Sequence, residues 1–385
     1  MLAALAAALD GTGPAILPLD PTLPGAALTR VLEAFGPSAI LAQDGTGRLP
    51  RAPAPSARAG VADDTAVVIA TSGSTGVPKA VELSAAALTA SATASLQRIG
   101  AGPGERWLCC LPTFHIAGIG VLVRSLIAGV DPVITGTVNA GVLAGCGCAH
   151  VSLVPTQLRR LLDSGADPGQ IVTVLLGGAA AAGDLLSAAG ASGWRVVTTY
   201  GMSETCGGCV YDGLPLDGVE IGFDVDGRIE IGGPVLFSRY REQPELTDAA
   251  LAGGRFRTAD LGYLAADGRL VIRGRADDLI NTGGEKVVPG EVEAVLGTSP
   301  GVADVVVVGV PDREWGELVT AFVVAADTAA PPDADHLRAI VRQALSARAA
   351  PKKVIVMPVF PLLPSGKPDR AALRESALRN LEASG

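Results

Sequence analysis

The sequence has little positive charge. Its 385 residues contain 30 Lys and Arg against 39 Asp and Glu, which gives a net charge of -9 at pH 7. A general nucleic-acid surface needs an excess of Lys and Arg to neutralise phosphates, so the composition argues against one. Negatively charged substrates must therefore be held by single cations, by backbone N–H groups and by metal ions.

A long uninterrupted apolar run is also missing. The longest candidate, residues 114–130, carries Arg124 in its middle and is shorter than the roughly 20 residues that a membrane helix needs. The apolar opening MLAALAAALD has no basic start and reaches Asp10 early, which is unlike a secretory signal. We therefore expect no membrane insertion and a cytoplasmic protein.

Disulfide bonds are not expected, because six cysteines without an export signal should stay reduced. Cys206 and Cys209 have the C-x-x-C spacing of a redox or zinc pair, and Cys146, Cys148 and His150 could supply further ligands. Neither group has a second half at zinc-finger spacing. Buried thiols are the favoured interpretation, and a zinc or thiol-redox protein stays the alternative.

What the sequence does contain is an alternation of short apolar segments with helical patterns. From 107 to 200, strands such as VSLVP alternate with helices such as TQLRRLL, which favours an α/β domain. Between 219 and 276 the pattern changes to short strands separated by turns, and a further unit of helices and strands follows. We predict an α/β fold with a large N-terminal domain at 1–276, made of layered α/β subdomains and a small β-rich subdomain. A hinge and a small α+β C-terminal domain at 277–385 complete it.

Residues 71–79, TSGSTGVPK, form a loop of hydroxyl residues and glycines after the apolar strand TAVVIAT. Gly73 and Gly76 let the backbone approach an anion closely, and the hydroxyl and N–H groups can donate to phosphate oxygens. Lys79 adds a compact positive charge. The Walker A pattern does not fit, since Ala80 and a strand follow the lysine instead of Ser or Thr and a helix.

Lysine is scarce in a chain that otherwise uses arginine. Only five of the 30 basic residues are lysines, namely Lys79, Lys286, Lys352, Lys353 and Lys367. Two of them, Lys79 and Lys367, lie in loops bounded by Gly and Pro. These loops are candidate sites that need a compact ammonium group rather than a planar guanidinium.

The 71–79 loop resembles the phosphate loop of the adenylate-forming superfamily, which includes acyl-CoA synthetases, peptide-synthetase adenylation domains and luciferases. Four further motifs follow in the superfamily's order: TTYGMSET (198–205), RTADLGYL (257–264), GRADDLINTGGEKVVPGEVE (274–293) and PSGKPDR (364–370). The resemblance extends from about residue 60 to the end. It implies a ligase that uses ATP and Mg²⁺ to make an acyl-adenylate and then transfers the acyl group to coenzyme A.

The resemblance also implies a nucleotide site. ATP would be bound by Thr71, Ser72, Gly73, Ser74, Thr75, Gly76, Lys79, Gly177, Gly178, Ala179, Tyr200, Gly201, Ser203, Asp260 and Arg275. Tyr200 would lie against the adenine ring and Asp260 would accept both ribose hydroxyls. Glu204 would hold Mg²⁺, which prefers carboxylate and phosphate oxygens.

In the C-terminal domain, the resemblance implies three roles. Lys367 would be the catalytic lysine that bridges the substrate carboxylate and the α-phosphate. Asp277 would be the hinge residue about which this domain rotates between the two steps. Gly284 would line the channel for the pantetheine arm of coenzyme A.

The acid substrate is indicated by segments 111–129, 152–162 and 207–213, which resemble o-succinylbenzoate–CoA ligases of menaquinone synthesis. A buried arginine without a partner is costly, so Arg124 would pair with the second carboxylate of that acid. His115 would lie near the reacting carboxylate, and Thr156 and Gln157 would line the pocket.

Alternatives stay open for the substrate. An internal salt bridge would also satisfy the arginine. The chain could instead be another aryl- or fatty-acyl-CoA ligase, or an enzyme that loads a carrier protein. For the ligase itself we expect small-molecule partners, namely the acid, ATP and coenzyme A, and a homodimer is left open.

Overall fold

The structure is a computed structural model, and it describes residues 1–41, 51–53, 60–71, 79–181, 183–362 and 368–382. Within these residues the chain forms eleven α-helices: α1 (Leu2–Leu9), α2 (Gly25–Phe35), α3 (Ala85–Ile99), α4 (Ile116–Ile127), α5 (Ala140–Gly145), α6 (Pro155–Asp163), α7 (Gly183–Ala191), α8 (Pro244–Ala250), α9 (Pro289–Leu296), α10 (Ala334–Ala344) and α11 (Arg370–Glu382).

The same residues form 22 strands: β1 (Ala39–Leu41), β2 (Arg51–Pro53), β3 (Thr65–Thr71), β4 (Lys79–Ser84), β5 (Trp107–Cys109), β6 (Val133–Ile134), β7 (His150–Leu153), β8 (Thr173–Leu176), β9 (Val196–Met202), β10 (Gly207–Tyr211), β11 (Leu214–Pro215), β12 (Glu220–Phe223), β13 (Arg228–Gly232), β14 (Arg239–Tyr240), β15 (Leu251–Ala252), β16 (Arg255–Leu264), β17 (Leu270–Arg275), β18 (Ile280–Thr282), β19 (Glu285–Val287), β20 (Val302–Asp312), β21 (Gly316–Ala325) and β22 (Lys353–Val356).

A seven-stranded sheet forms the centre of the N-terminal part, in the order β11-β10-β9-β8-β7-β5-β6. The strands β5 to β9 pair in parallel. Parallel neighbours need a crossover connection, and helices α4 to α7 supply one between each consecutive pair. The predicted α/β fold is confirmed, and the carboxyl ends of β7, β8 and β9 meet at one edge, where open α/β sheets place their ligands.

Helix α3 shows how local sequence fixes an element here. Its first turn is capped by Ser84, whose Oγ accepts a hydrogen bond from the Ala87 N–H at 3.1 Å. A cap of this kind stabilises a helix by about 1 kcal/mol. The helix ends at Gly100, which adopts the left-handed conformation with φ 72° that favours glycine.

A three-stranded antiparallel sheet, β14-β4-β3, carries the two ends of the predicted phosphate loop, residues 71–79. Thr71 and Lys79 are register partners where the loop joins β3 and β4. Glu82 in β4 is fully buried, and its carboxylate accepts hydrogen bonds from the guanidinium groups of Arg239 (2.8 Å) and Arg241 (3.2 Å). Two charge-assisted contacts offset the burial of this carboxylate and fix β14 against β4.

The C-terminal part has its own sheet, β19-β18-β21-β20, with β22 parallel to β21. Successive side chains of β20 point to opposite faces, and both faces are buried. Val307 packs in a cluster with residues of α9 and α10, whereas Val306 and Val308 pack in a cluster with α11. The uninterrupted apolar run DVVVVGV within β20 is typical of a strand that is covered on both sides.

Contacts between Cα atoms divide the chain into two compact units. The first comprises 1–181, 186–222 and 230–257, and the second comprises 182–185, 223–229 and 258–385. The second unit therefore contains the hairpin β16–β17 from Thr258 onward as well as the C-terminal sheet. The division at 276/277 that the sequence indicates stays a prediction.

Candidate active site

The turn after β9 holds Ser203 and Glu204. These residues form part of a short 3-10 turn, and the buried Thr205 closes it. The Thr205 hydroxyl accepts a hydrogen bond from the Met202 N–H at 2.9 Å and donates one to the Gly207 carbonyl at 2.7 Å. One buried side chain thus connects both sides of the turn and fixes where Glu204 lies.

The carboxylate of Glu204 has a partner that the sequence did not indicate. The Tyr240 hydroxyl donates a hydrogen bond of 2.8 Å to its Oε1 atom. Burial, followed by the charge of Glu204, raises the pKa of Tyr240, so this hydroxyl keeps its proton at neutral pH. Lys79 Nζ lies 5.3 Å from the centroid of the same ring. An acid, a phenol and a lysine therefore lie together at the end of the predicted phosphate loop.

These groups fit a magnesium ion bound to phosphates. Mg²⁺ is held in proteins by one or two carboxylates together with phosphate oxygens and water. Glu204 is half-buried, and the bond from Tyr240 occupies only Oε1. Among the described residues, Oε2 has no hydrogen-bond donor, so it is available to a cation.

Removing the Tyr240 hydroxyl should weaken the use of Mg²⁺. In Tyr240→Phe the ring below Lys79 is kept but the bond that orients Glu204 is lost. Hydrogen bonds to charged groups contribute about 1.5–3 kcal/mol, and we expect the Mg²⁺ concentration for half-maximal activity to rise about 10-fold. A Mg²⁺ titration of pyrophosphate release and Mn²⁺ binding in the presence of ATP would measure it. Tyr263→Phe removes an exposed hydroxyl and is the matched control; an unchanged Mg²⁺ dependence in Tyr240→Phe would contradict the assigned contact.

Two glycine-containing segments lie side by side near this turn. Gly177, Gly178 and Ala179 follow β8, and Tyr200 and Gly201 belong to β9. A Cβ atom at Gly177 would collide with a threonine hydroxyl of β9, and one at Gly201 would collide with the backbone of β10. Only glycine permits this close approach, which leaves flat backbone surfaces suited to a planar ring.

A cavity of about 120 Å³ opens next to these glycines. Apolar side chains, several of them from α4, β7 and β8, and a group of glycines form its wall. Arg124 is the only charged side chain among the described residues that line it. The lining residues are Leu111, Ile116, Ala117, Gly120, Arg124, Ser152, Leu153, Val154, Leu175, Gly177, Gly178, Thr199, Gly201, Cys206, Gly207, Gly208 and Tyr211. A mostly apolar cavity with one cation suits a ligand that is hydrophobic with an anionic end.

Arg124 is buried, with 9% of its surface exposed. Its Nη2 donates to Ser152 Oγ at 2.9 Å, and its Cζ lies 4.3 Å from the centroid of the Trp107 ring. Its Nε has no hydrogen-bond partner in the described part of the chain, and burial lowers the pKa of the guanidinium. Among the described residues there is no carboxylate at ion-pair distance from Arg124, so they do not form the internal salt bridge that was the alternative to a substrate carboxylate.

The other predicted acid-site residues lie outside the wall of this cavity. His115 is the residue before α4, and its ring lies tilted against that of Phe114 with centroids 4.6 Å apart. Thr156 is exposed on the first turn of α6. Gln157 turns back on its own helix, where its Oε1 accepts the Val154 N–H at 3.1 Å. Their predicted roles toward the acid stay predictions.

In the second unit, Asp260 and Arg275 are register partners of the hairpin β16–β17. Arg275 donates from Nη1 to Asp260 at 3.4 Å and from Nη2 to Asp277 at 3.2 Å. One guanidinium therefore connects the predicted ribose-binding acid to the predicted hinge residue. Gly284 lies in the β18–β19 turn with φ 81°, and a Cβ there would meet nothing within 4 Å.

Several predicted residues fall outside the described part of the chain. They are Ser72, Gly73, Ser74, Thr75, Gly76 and Lys367, the predicted catalytic lysine. The described residues on either side of them are paired with each other. Thr71 pairs with Lys79 at the base of the 71–79 loop, and Leu362 pairs with Pro368 on either side of residues 363–367.

The cysteines of the C-x-x-C pair are both buried free thiols. Burial raises the pKa of Cys209 to about 12 and that of Cys206 further, so neither is a thiolate at neutral pH. Within the described ranges, no group of three or more His, Cys, Asp or Glu side chains is arranged to bind a metal ion. The two thiols therefore have the environment of packed side chains.

Two family models match the chain. The model described as AMP-binding enzyme covers residues 48–240, and the model described as AMP-binding enzyme C-terminal domain covers residues 291–367. The chain belongs to the AMP-binding enzyme family. The superfamily inferred from the five motifs is confirmed, and the described glycines, Tyr200, Glu204 and Lys79 stand in the first matched region.

The relatives of this AMP-binding enzyme are similar in sequence and in fold. A probable 2-succinylbenzoate–CoA ligase of Mycobacterium tuberculosis is 47% identical over 81% of this chain and 84% of the relative. The o-succinylbenzoate CoA synthetase MenE of Bacillus subtilis, solved with its acyl-adenylate, gives a TM-score of 0.72 at 33% identity, over 80% of this chain and 69% of that one. ATP-bound MatB of Rhodopseudomonas palustris gives 0.83 at 26% identity, over 95% and 84%.

Sequence reasoning missed three residues of this AMP-binding enzyme's site. Tyr240 reaches Glu204, and Trp107 and Ser152 contact Arg124. Tyr240 lies in a two-residue strand that carries no pattern of its own, while Trp107 and Ser152 read as ordinary strand residues. Their roles depend on strand pairing, which the sequence did not reveal.

None of the described helices is both long enough and apolar enough to cross a membrane.

Proposed function

We propose that this AMP-binding enzyme is an o-succinylbenzoate–CoA ligase. It converts o-succinylbenzoate, ATP and coenzyme A into o-succinylbenzoyl-CoA, AMP and pyrophosphate. The observation that carries the proposal is Arg124, a buried cation with no carboxylate partner among the described residues, in a cavity beside the glycine segments. The similarity to 2-succinylbenzoate–CoA ligases supports it independently.

The chemistry of the cavity favours an acid with two carboxylates and an aromatic ring. One carboxylate must react with ATP, and the other must enter the protein as an anion. A buried anion is stable only when it is paired and hydrogen-bonded, and Arg124 with its unpartnered Nε offers that pairing. The apolar wall around it accepts the ring. A fatty acid would leave the guanidinium without a counter-ion.

In the first step a carboxylate oxygen of the substrate attacks the α-phosphorus of ATP. An oxygen–phosphorus bond forms, the bond to the β-phosphate breaks, and pyrophosphate leaves. Both reactants are anions, so the barrier is mostly repulsion and alignment. Lys79, the hydroxyls of the 71–79 loop, Ser203 and Lys367 reduce the repulsion, and Glu204 retains the Mg²⁺ ion that adds positive charge to the phosphates. Tyr200 and the segment 177–179 hold the adenine ring.

In the second step the thiol of coenzyme A attacks the carbonyl carbon of the acyl-adenylate. The carbon–sulfur bond forms, AMP leaves, and the thiol proton is lost to solvent. Asp260 holds the ribose with help from Arg275. Rotation at Asp277 removes Lys367 and brings Gly284 to the site, where the absence of a side chain leaves room for the pantetheine arm.

A cytoplasmic location, the lack of nucleic-acid binding and a homodimer stay predictions.

A screen of pyrophosphate release over carboxylic acids tests the proposal. We expect release with o-succinylbenzoate and ATP alone, and full turnover to the thioester only when coenzyme A is added. Benzoate and octanoate, which lack the second carboxylate, should react at least about 100-fold less efficiently, since a missing partner for a buried charge costs about 2–5 kcal/mol. Equal turnover of the three acids would refute the substrate assignment, and product formation that requires a carrier protein would refute the acceptor.

A further inference from the structure

Trp107 lies directly beneath the cation of the cavity. It is the first residue of β5 and is completely buried. The guanidinium carbon of Arg124 lies 4.3 Å from the centroid of its ring. A cation over an aromatic face is attracted to it, and among the aromatic residues Trp gives the strongest attraction. Trp107 is not among the residues that line the cavity, whereas Arg124, which it contacts, is one of them.

The arginine depends on this ring because its other contacts are weak. Ser152 supplies one neutral hydroxyl to Nη2, and Nε has no partner. A charge taken out of water normally needs an opposite charge, and the described residues provide none. An aromatic face offsets part of that cost without neutralising the charge. The guanidinium therefore stays charged and oriented, while its remaining N–H donors are available to hydrogen-bond a ligand.

His150 extends the same arrangement in the neighbouring strand. It pairs in register with Trp107, and the two ring centroids are 4.9 Å apart. Its Nε2 is 2.8 Å from Glu105 Oε2. Burial lowers the pKa of His150 despite that acid, so the ring is neutral at pH 7. A neutral imidazole supports the tryptophan without adding a second positive charge near Arg124.

We propose that Trp107 is a specificity-determining positioning residue, which holds Arg124 charged and pointed into the cavity for the second carboxylate of the substrate. The inference rests on the proposed function in one respect, namely that the acid carries a second anionic group. Specificity then arises because only a dicarboxylate supplies a counter-ion to the guanidinium of Arg124. A neutral or purely apolar acid must fill the cavity against an unpaired charge.

A double-mutant cycle tests whether Trp107 acts through Arg124. The variants are Trp107→Leu and Trp107→Phe, each made in the native chain and in Arg124→Met. We expect Trp107→Leu to raise KM for o-succinylbenzoate about 30-fold with kcat changed less than about 3-fold, since a desolvated cation–π contact is lost. Trp107→Phe, which keeps an aromatic face, should raise KM only about 5-fold. In the Arg124→Met background both changes should fall below about 2-fold.

Trp194→Leu is the control for mere loss of a buried tryptophan, since Trp194 is also buried in the first unit and has no ring contact with Arg124. It should leave KM unchanged at temperatures below the melting point of each variant. Equal effects of Trp107→Leu with and without Arg124, or an equal effect of Trp194→Leu, would overturn the inference.

A binding measurement does not depend on turnover. With Trp194→Phe and Trp315→Phe, Trp107 is the remaining tryptophan among the three in the chain. Its emission should change when o-succinylbenzoate is added without ATP, and Arg124→Met should abolish the change. If the native enzyme turns over a different acid, the proposed function fails, and the same cycle on that acid decides the inference separately: coupling between the two residues supports it, and independence contradicts it.

Discussion

Lys367→Ala should lower the rate of acyl-adenylate formation by about 10²–10³-fold while KM for ATP changes little. The reacting carboxylate and the α-phosphate repel each other most strongly as the new bond forms. An ammonium placed between them contributes more in the transition state than in the ground state, so its loss appears in kcat. The measurement is pyrophosphate release from o-succinylbenzoate and ATP in the absence of coenzyme A.

The second half-reaction separates this role from a general defect. Lys367 takes no part in thiol attack in the proposed mechanism. The variant supplied with preformed o-succinylbenzoyl-adenylate and coenzyme A should therefore make the thioester at a rate within about 3-fold of the native enzyme, which is far below the loss expected in the first step. Lys353→Ala, which removes another lysine of the second unit, is the control for lost charge. A normal rate of adenylate formation in Lys367→Ala would be incompatible with the mechanism.

Arg124→Met should reduce kcat/KM for o-succinylbenzoate by about 10²–10³-fold, mainly through KM. Removing one partner of a buried, hydrogen-bonded charge pair costs about 2–5 kcal/mol, and each 1.4 kcal/mol is a factor of ten. Methionine keeps much of the length of the side chain but none of its charge. Steady-state kinetics over a concentration series of the acid would measure the change.

The same substitution should not destabilise the protein without substrate. The guanidinium is buried without a carboxylate among the described residues, so an apolar replacement removes a desolvation cost. We expect Tm of Arg124→Met to equal or exceed that of the native chain. Bound o-succinylbenzoate should raise Tm in the native chain and not in the variant. The control is Arg106→Met, at an exposed arginine that immediately precedes β5. It should change neither Tm nor the increase in Tm caused by o-succinylbenzoate. A large loss of Tm in Arg124→Met would show instead that the arginine is structural.

Some parts of the fold were readable because the local signals agree with one another. Ser84 and Gly100 mark the ends of α3, and the structure places a cap and a left-handed residue there. The segment PGEVEAVL, which opens on the proline favoured at the start of a helix, forms α9. The run DVVVVGV gave β20. In each case neighbouring residues decide the conformation, so no tertiary information is needed.

The site could be predicted from the sequence only where several functional residues stand close together in a short segment. The loop 71–79 and the turn with Glu204 carry their donors and acceptors in consecutive residues. Tyr240 gave no such signal, because its hydroxyl reaches Glu204 only after β14 has paired with β4. For Gln157 the sequence predicts a place in the acid pocket, whereas in the structure its side chain hydrogen-bonds to the start of its own helix.

From the sequence alone follow the α/β class, the order of the motifs, the family they indicate and the presence of a charged residue within an apolar helix. The surroundings of that charge depend on the parallel pairing of β5 with β7, which puts Trp107 and Ser152 beside Arg124. A local motif can specify its own backbone and donors. Whether a buried cation is neutralised by the protein or left for a ligand depends on residues distant in the chain, and only the folded sheet brings them together.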